Sequence, residues 1–207
     1  MPTIQHSLLG NAELHEPKGV SAASEDQVYI ADGAGSGTWG KLICNGWENI
    51  EHNGAAQALS NGVRTKVLND AAGSLTNATY DLPNATGSVW DSTNNQFNWA
   101  AAGLEVGDQV VIRLDIEYTV DTNNDGFLLE MDFAVGGSFP FTLPLDERNI
   151  DAAGSQQVNR YISFYIGSSD VLNNPAEIYV TANSAGDSID INGWFVRFEP
   201  RNPRFAT

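Results

Sequence analysis

A chain of 207 residues, 42% hydrophobic and 17% charged, has room for one domain of ordinary size plus an appendage. Ten Lys and Arg against 26 Asp and Glu give a formal charge of −16, which disfavours phosphate backbones and anionic membrane surfaces as partners, so neither nucleic-acid binding nor membrane insertion is expected. The single cysteine, Cys44, excludes an intrachain disulfide, no apolar run is long enough for a membrane span, and the first ten residues lack the basic start and apolar stretch of a secretory signal.

In chain order, residues 1–54 read as an extended N-terminal arm. They are rich in Gly, Ser and Ala and poor in large apolar residues, with one short strand expected at Val28–Ala31. Residues 55–94 read as a transition segment with one or two strands; in Gly62–Leu68, Val63, Thr65 and Val67 share one face while Arg64 and Lys66 share the other. Residues 95–207 read as the body. Across Gln109–Val120, Val110, Ile112, Leu114, Ile116, Tyr118 and Val120 alternate with Val111, Arg113, Asp115, Glu117 and Thr119, the period of a half-buried strand. The alternation returns in Phe127–Val135 and Val158–Ile166, and further strands are expected at Phe139–Leu145, Glu177–Ala182 and Ser188–Phe198. Arg160 falls on the apolar parity of its strand and so needs a carboxylate or carbonyl partner, whereas Tyr161 and Tyr165 fall on the opposite, outward parity. In the last strand Ile189 and Ile191 lie on one parity and Trp194, Val196 and Phe198 on the other, so a β-bulge at Asn192-Gly193 is expected to restore one buried face. Antiparallel strands separated by Gly, Asn and Asp turns, with no helix between them, give an all-β antiparallel sandwich.

Chemistry-bearing motifs are few. Asp121, Asn123, Asp125 and the following Gly126 fit the first half of a calcium loop, with Asp132 at the twelfth position; the flanking segments are strands, however, so a polar hairpin turn is the favoured reading and no metal is expected. His6, His15 and His52 have no metal-ligand spacing, no nucleophile or nucleotide motif is present, and Gly33-Ala34-Gly35-Ser36-Gly37 reads as a turn. The pairs Asp115/Glu117 and Glu130/Asp132 could imitate a glycosidase dyad, but such pairs arise by chance in so acidic a chain. Neither catalysis nor a cofactor is expected. Five Trp and six Tyr could include a platform for stacking sugars, or an interface with another subunit.

The phrase His15-Glu16-Pro17-Lys18-Gly19-Val20, followed by Val28-Tyr-Ile-Ala-Asp-Gly-Ala-Gly-Ser-Gly-Thr-Trp39, resembles an N-terminal segment of tailed-bacteriophage structural proteins of the head-fibre, capsid-decoration and tail-fibre types. The resemblance implies a jelly-roll-like, homotrimeric virion protein that is not an enzyme, with other capsid or tail proteins as partners and a host-surface glycan as a further one. It also gives the arm a purpose. Too few apolar groups are available there to offset the entropy of ordering, so Leu8, Leu9, Leu14, Val20, Val28, Tyr29, Ile30 and Trp39 are expected to anchor on neighbouring subunits or the particle, with His15, Glu16 and Pro17 shaping a turn between them.

Overall fold

The computed structural model describes residues 23–31, 34, 37–53, 56–68, 74–123 and 125–206. The strands are β1 (Gln27–Ala31), β2 (Gly37–Ile43), β3 (Gly46–Asn53), β4 (Gln57–Ala58), β5 (Thr65–Lys66), β6 (Ser74–Tyr80), β7 (Trp90–Asp91), β8 (Gln96–Phe97), β9 (Gln109–Val120), β10 (Asp125–Phe133), β11 (Phe141–Ile150), β12 (Gly154–Tyr165), β13 (Glu177–Ala182), β14 (Ser188–Glu199) and β15 (Arg204–Ala206). One short helix, α1 (Ser169–Asn173), is capped by the Ser168 hydroxyl, which accepts from the Val171 N–H. No helix among the described residues is long and apolar enough to cross a membrane.

The chain divides into two compact units, with boundaries between Ile43 and Cys44 and between Arg204 and Phe205. In the first, β1 and β2 pair antiparallel from Gln27↔Lys41 to Ala31↔Gly37, within a sheet of order β1-β2-β15. The register sets Tyr29 opposite Trp39, whose rings meet edge to face at 5.4 Å.

The second unit is a jelly-roll-like sandwich of two antiparallel sheets, ordered β12-β9-β14-β3-β6 and β11-β10-β13-β5. Successive long strands change sheet: β9 lies in the first, β10 and β11 in the second, β12 in the first, β13 in the second and β14 in the first. Strand alternation explains the core. Along β9 every second side chain from Val110 to Val120 is buried, and the same parity in β10 buries Phe127, Leu129, Met131 and Phe133. The two sets meet across the sandwich, for example where Tyr118 packs on Phe127 with ring centres 4.6 Å apart. At one end Trp90, Phe97, Trp99 and Trp194 pile into a single aromatic cluster, with Trp99 stacked on Phe97 at 5.3 Å.

The bulge in β14 is present. Ile191 pairs with Ile116 and Gly193 with Asp115, so Asn192 is left over and exposed while Ile189, Ile191, Trp194, Val196 and Phe198 are all buried. Position 193 has to be glycine here, since a Cβ would lie 2.8 Å from the Ile50 carbonyl oxygen of the adjoining strand. Arg160 also finds its carboxylate: its Nη2 donates to Asp146 at 2.5 Å, and Arg148 Nε donates to the same group at 3.2 Å. Burial, reinforced by the Asp146 charge, raises the Tyr118 phenol well above its ordinary range and keeps it neutral beside that cluster.

Two boundaries differ from the sequence reading. Residues 46–53, assigned by pattern to the arm, form β3 inside the body, pairing with β14 from Gly46↔Phe198 to Glu51↔Gly193. The pattern misleads because Glu48 shares the inward face with Ile50; it is fully buried and satisfied by the Ser88 hydroxyl at 2.5 Å and the Val89 N–H at 2.6 Å. In the segment read as a strand from Gly62 to Leu68, only Thr65 and Lys66 pair in a sheet, with Val180 and Tyr179, and Val63 is half exposed.

Candidate functional site

The inward positions of the β12-β9-β14-β3-β6 sheet are committed to the core, so its outward positions are those a partner can reach. Register aligns Tyr161, Arg113, Phe195 and Asn49 in one row across β12, β9, β14 and β3. Trp47 stacks on Phe195 at 6.1 Å, and the Arg113 guanidinium lies 5.7 Å above the same ring. Tyr161 and Tyr165 stand 70% and 69% exposed at the end of this face, on the outward parity read from the sequence. Arg113 Nη2 holds Asp115 at 2.9 Å, and that hydrogen bond, against the opposing effect of burial, raises the guanidinium further above its ordinary value. Beside the row is a cleft of about 450 Å³ lined by Arg113, Asp115, Ile116, Gln157, Asn159 and Asn192, in which Asp115 Oδ1 has no hydrogen-bond partner. Aromatic faces flanked by carboxylate, amide and guanidinium groups suit either a protein partner or a sugar ring.

A second apolar feature lies at the open side of the sandwich. Among the described strands β11 pairs only with β10 and β12 only with β9, so both present free backbone edges. There Phe139 is 80% exposed, and Phe141, stacked on Phe133 at 4.9 Å, borders a cleft of about 530 Å³ with Phe164, Tyr165 and Val171.

Of the residues read as arm anchors, Leu8, Leu9, Leu14, His15, Glu16, Pro17 and Val20 lie outside the described residues. Val28, Tyr29 and Ile30 are in β1 and Trp39 in β2; Val28 is 42% exposed and the other three are half-buried. The structure draws Asp132 and Asn123 of the calcium-loop pattern to partners elsewhere. Asp132 projects from the sheet to Arg64, with oxygen–nitrogen distances of 2.7 and 2.9 Å, and accepts from the Thr142 hydroxyl. Asn123 Oδ1 accepts from the Ala153 N–H at 2.9 Å. Asp121 and Asp125 remain near each other, and they are joined by a residue the local pattern could not include: one carboxylate oxygen from each of Asp121, Asp125 and Asp187 lies within 4.8 Å of the others. Burial above all, and then the charges of Asp125 and Asp121, push the Asp187 carboxyl up from the ordinary carboxylate range. The carboxylate pairs that could imitate a glycosidase dyad are held by neighbours: Arg64 bridges Glu130 and Asp132, Arg113 holds Asp115, and Gln157 donates to Glu117.

No family model matches this sequence, and no curated protein does. Solved structures similar to it include the PRD1 vertex protein P5 (11% identity, TM-score 0.37, 77% of this chain and 99% of that one) and the Eiger TNF of S. frugiperda (9%, 0.41, 78% and 94%). Another is the CBM22-1–GH10 portion of Clostridium thermocellum xylanase 10B, complexed with xylohexaose (11%, TM-score 0.36, 78% of this chain and 27% of that one).

Proposed function

We propose that the chain is a structural, non-enzymatic component of a bacteriophage virion, a homotrimeric head fibre or capsid decoration protein attached through its N-terminal segment. The observation that carries this reading is the division of the chain. A small β unit, formed by the residues up to Ile43 together with those after Arg204, holds the Val28–Trp39 phrase in its β1–β2 pairing, and the sandwich is built from Cys44–Arg204. The outward row of Tyr161, Arg113 and Phe195, with Trp47 stacked on Phe195, supports self-association, because aromatic and arginine side chains are the types enriched at protein interfaces. A closed cyclic assembly would bury that row once per subunit.

Mass photometry of the full chain at micromolar concentration is expected to give three times 22.3 kDa. Tyr161→Glu, which places a charge in the row without touching the core, should weaken association by roughly tenfold or more, since a like or unpaired charge at an interface costs more than 1.4 kcal/mol. A wild-type monomer would refute the trimer.

The second reading is a tail-fibre or receptor-binding component, or a carbohydrate-binding module, that takes a glycan on the same face. The cleft lined by Asp115, Gln157, Asn159 and Asn192 beside the aromatic row favours it. Glycan-array binding that is lost in Tyr161→Ala and Phe195→Ala, by a protein that stays monomeric, would select this reading over the scaffold.

A further inference from the structure

We propose that Asp121, Asp125 and Asp187 form a calcium site at the end of the sandwich where the β9–β10 and β13–β14 connections meet. The sheet register brings the connections together: Thr119 of β9 pairs with Ser188 of β14, and Phe127 of β10 pairs with Ala182 of β13. Asp121 therefore leaves β9, Asp125 opens β10 and Asp187 enters β14 within one small volume, with a carboxylate oxygen of each within 4.8 Å of the other two.

A group of acidic residues is by itself common, and the argument for an ion rests on Asp187. Its residue surface is 0% exposed; Oδ1 accepts from the Asp121 N–H at 3.3 Å, and Oδ2 is buried with no hydrogen-bond partner. A buried carboxylate oxygen left unpaired beside two more carboxylates is costly unless a cation or further donors satisfy it. Among the described residues, no ion pair of the protein reaches any of the three acids. Asp125 is also nearly buried and receives the Thr122 hydroxyl at 2.6 Å, which orients it, while Asp121 lies toward solvent. Gly186 preserves the space: its φ is +106°, and a Cβ there would stand 2.2 Å from Asp121 Oδ2. Three carboxylates supply hard oxygen ligands, with the open Asp121 side left for water. This arrangement fits the variable coordination of calcium better than the strict octahedron that magnesium demands.

The test is thermal unfolding of the full chain, stripped with chelator and measured with chelator, with calcium chloride or with magnesium chloride, all at matched ionic strength. Calcium at about one hundred times its dissociation constant should raise the melting temperature by roughly 5–10 °C, and magnesium by clearly less. Asp121→Asn, at an exposed position expected to leave folding intact, should lose most of the calcium shift. Asp187→Asn should melt in chelator at least as high as the wild type, because it removes one of three mutually repelling charges, and should gain little from calcium. A calcium shift below about 1 °C in the wild type would overturn the proposal. So would an equal shift with magnesium, or a full shift retained by Asp121→Asn.

Discussion

Asp108→Ala is expected to destabilise the body by about 3–5 kcal/mol, the usual cost of leaving one member of a buried ion pair without its partner. Asp108 is 1% exposed and accepts from three donors. Oδ2 accepts from the Glu105 N–H at 2.8 Å and from Arg204 Nη2 at 2.7 Å, and Oδ1 accepts from the Arg201 N–H at 2.8 Å. One side chain thus closes the turn before β9 and ties down the segment after β14. Alanine would orphan two backbone donors and leave the Arg204 guanidinium, whose side chain is only 9% exposed, with the solvent-facing Glu105 carboxylate at 3.2 Å and the Asn202 carbonyl at 3.3 Å. Arg204→Met should cost less, because the carboxylate keeps both backbone N–H groups; urea unfolding of the two variants checks the order. If Asp108→Ala proves no worse than Arg204→Met, the backbone contacts contribute nothing and the account of this lock is wrong.

Trp99→Ala should cost about 3–5 kcal/mol through loss of burial and the cavity left behind. Trp99 is fully buried, stacked on Phe97 at 5.3 Å and edge-on to Phe164 at 5.2 Å, so it joins the aromatic cluster to β12. Its indole Nε1 has no hydrogen-bond partner. Trp99→Phe removes that unsatisfied donor along with some volume; the two effects oppose each other, and a net cost of about 2 kcal/mol or less is expected from denaturant midpoints. A phenylalanine variant as unstable as the alanine one would mean that the indole group finds a partner in solution.

The long strands were legible because their burial follows a period of two with little interruption: Gln109–Val120 and Glu177–Ala182 have the bounds read from the sequence. Parity also located the β14 bulge, since only an extra residue can put Ile191 and Trp194 on one face. It likewise required a partner for Arg160, which Asp146 supplies from the facing sheet. Where a polar residue takes a core position, parity fails, as at Glu48, whose partners Ser88 and Val89 lie some forty residues away. The acidic cluster shows the same limit. Asp121 and Asp125 belong to one short connection between the sheets, but Asp187 joins them only through the pairing of β14 with β9, which no local spacing reveals. The outward row of Tyr161, Arg113, Phe195 and Asn49 was half legible: the outward parity of Tyr161 could be read, and its alignment with residues of three other strands could not.

Immunogold electron microscopy with an antibody to the body, on particles purified from cells that express the chain from its natural locus, tests the functional account most directly. Regular labelling of the head surface by the full chain is expected, and loss of labelling when residues 1–43 are deleted while residues 44–207 remain soluble and folded. Labelling confined to tails would move the assignment to the tail-fibre reading. Particles that carry no label, or that are labelled equally by the truncated chain, would contradict attachment through the N-terminal segment.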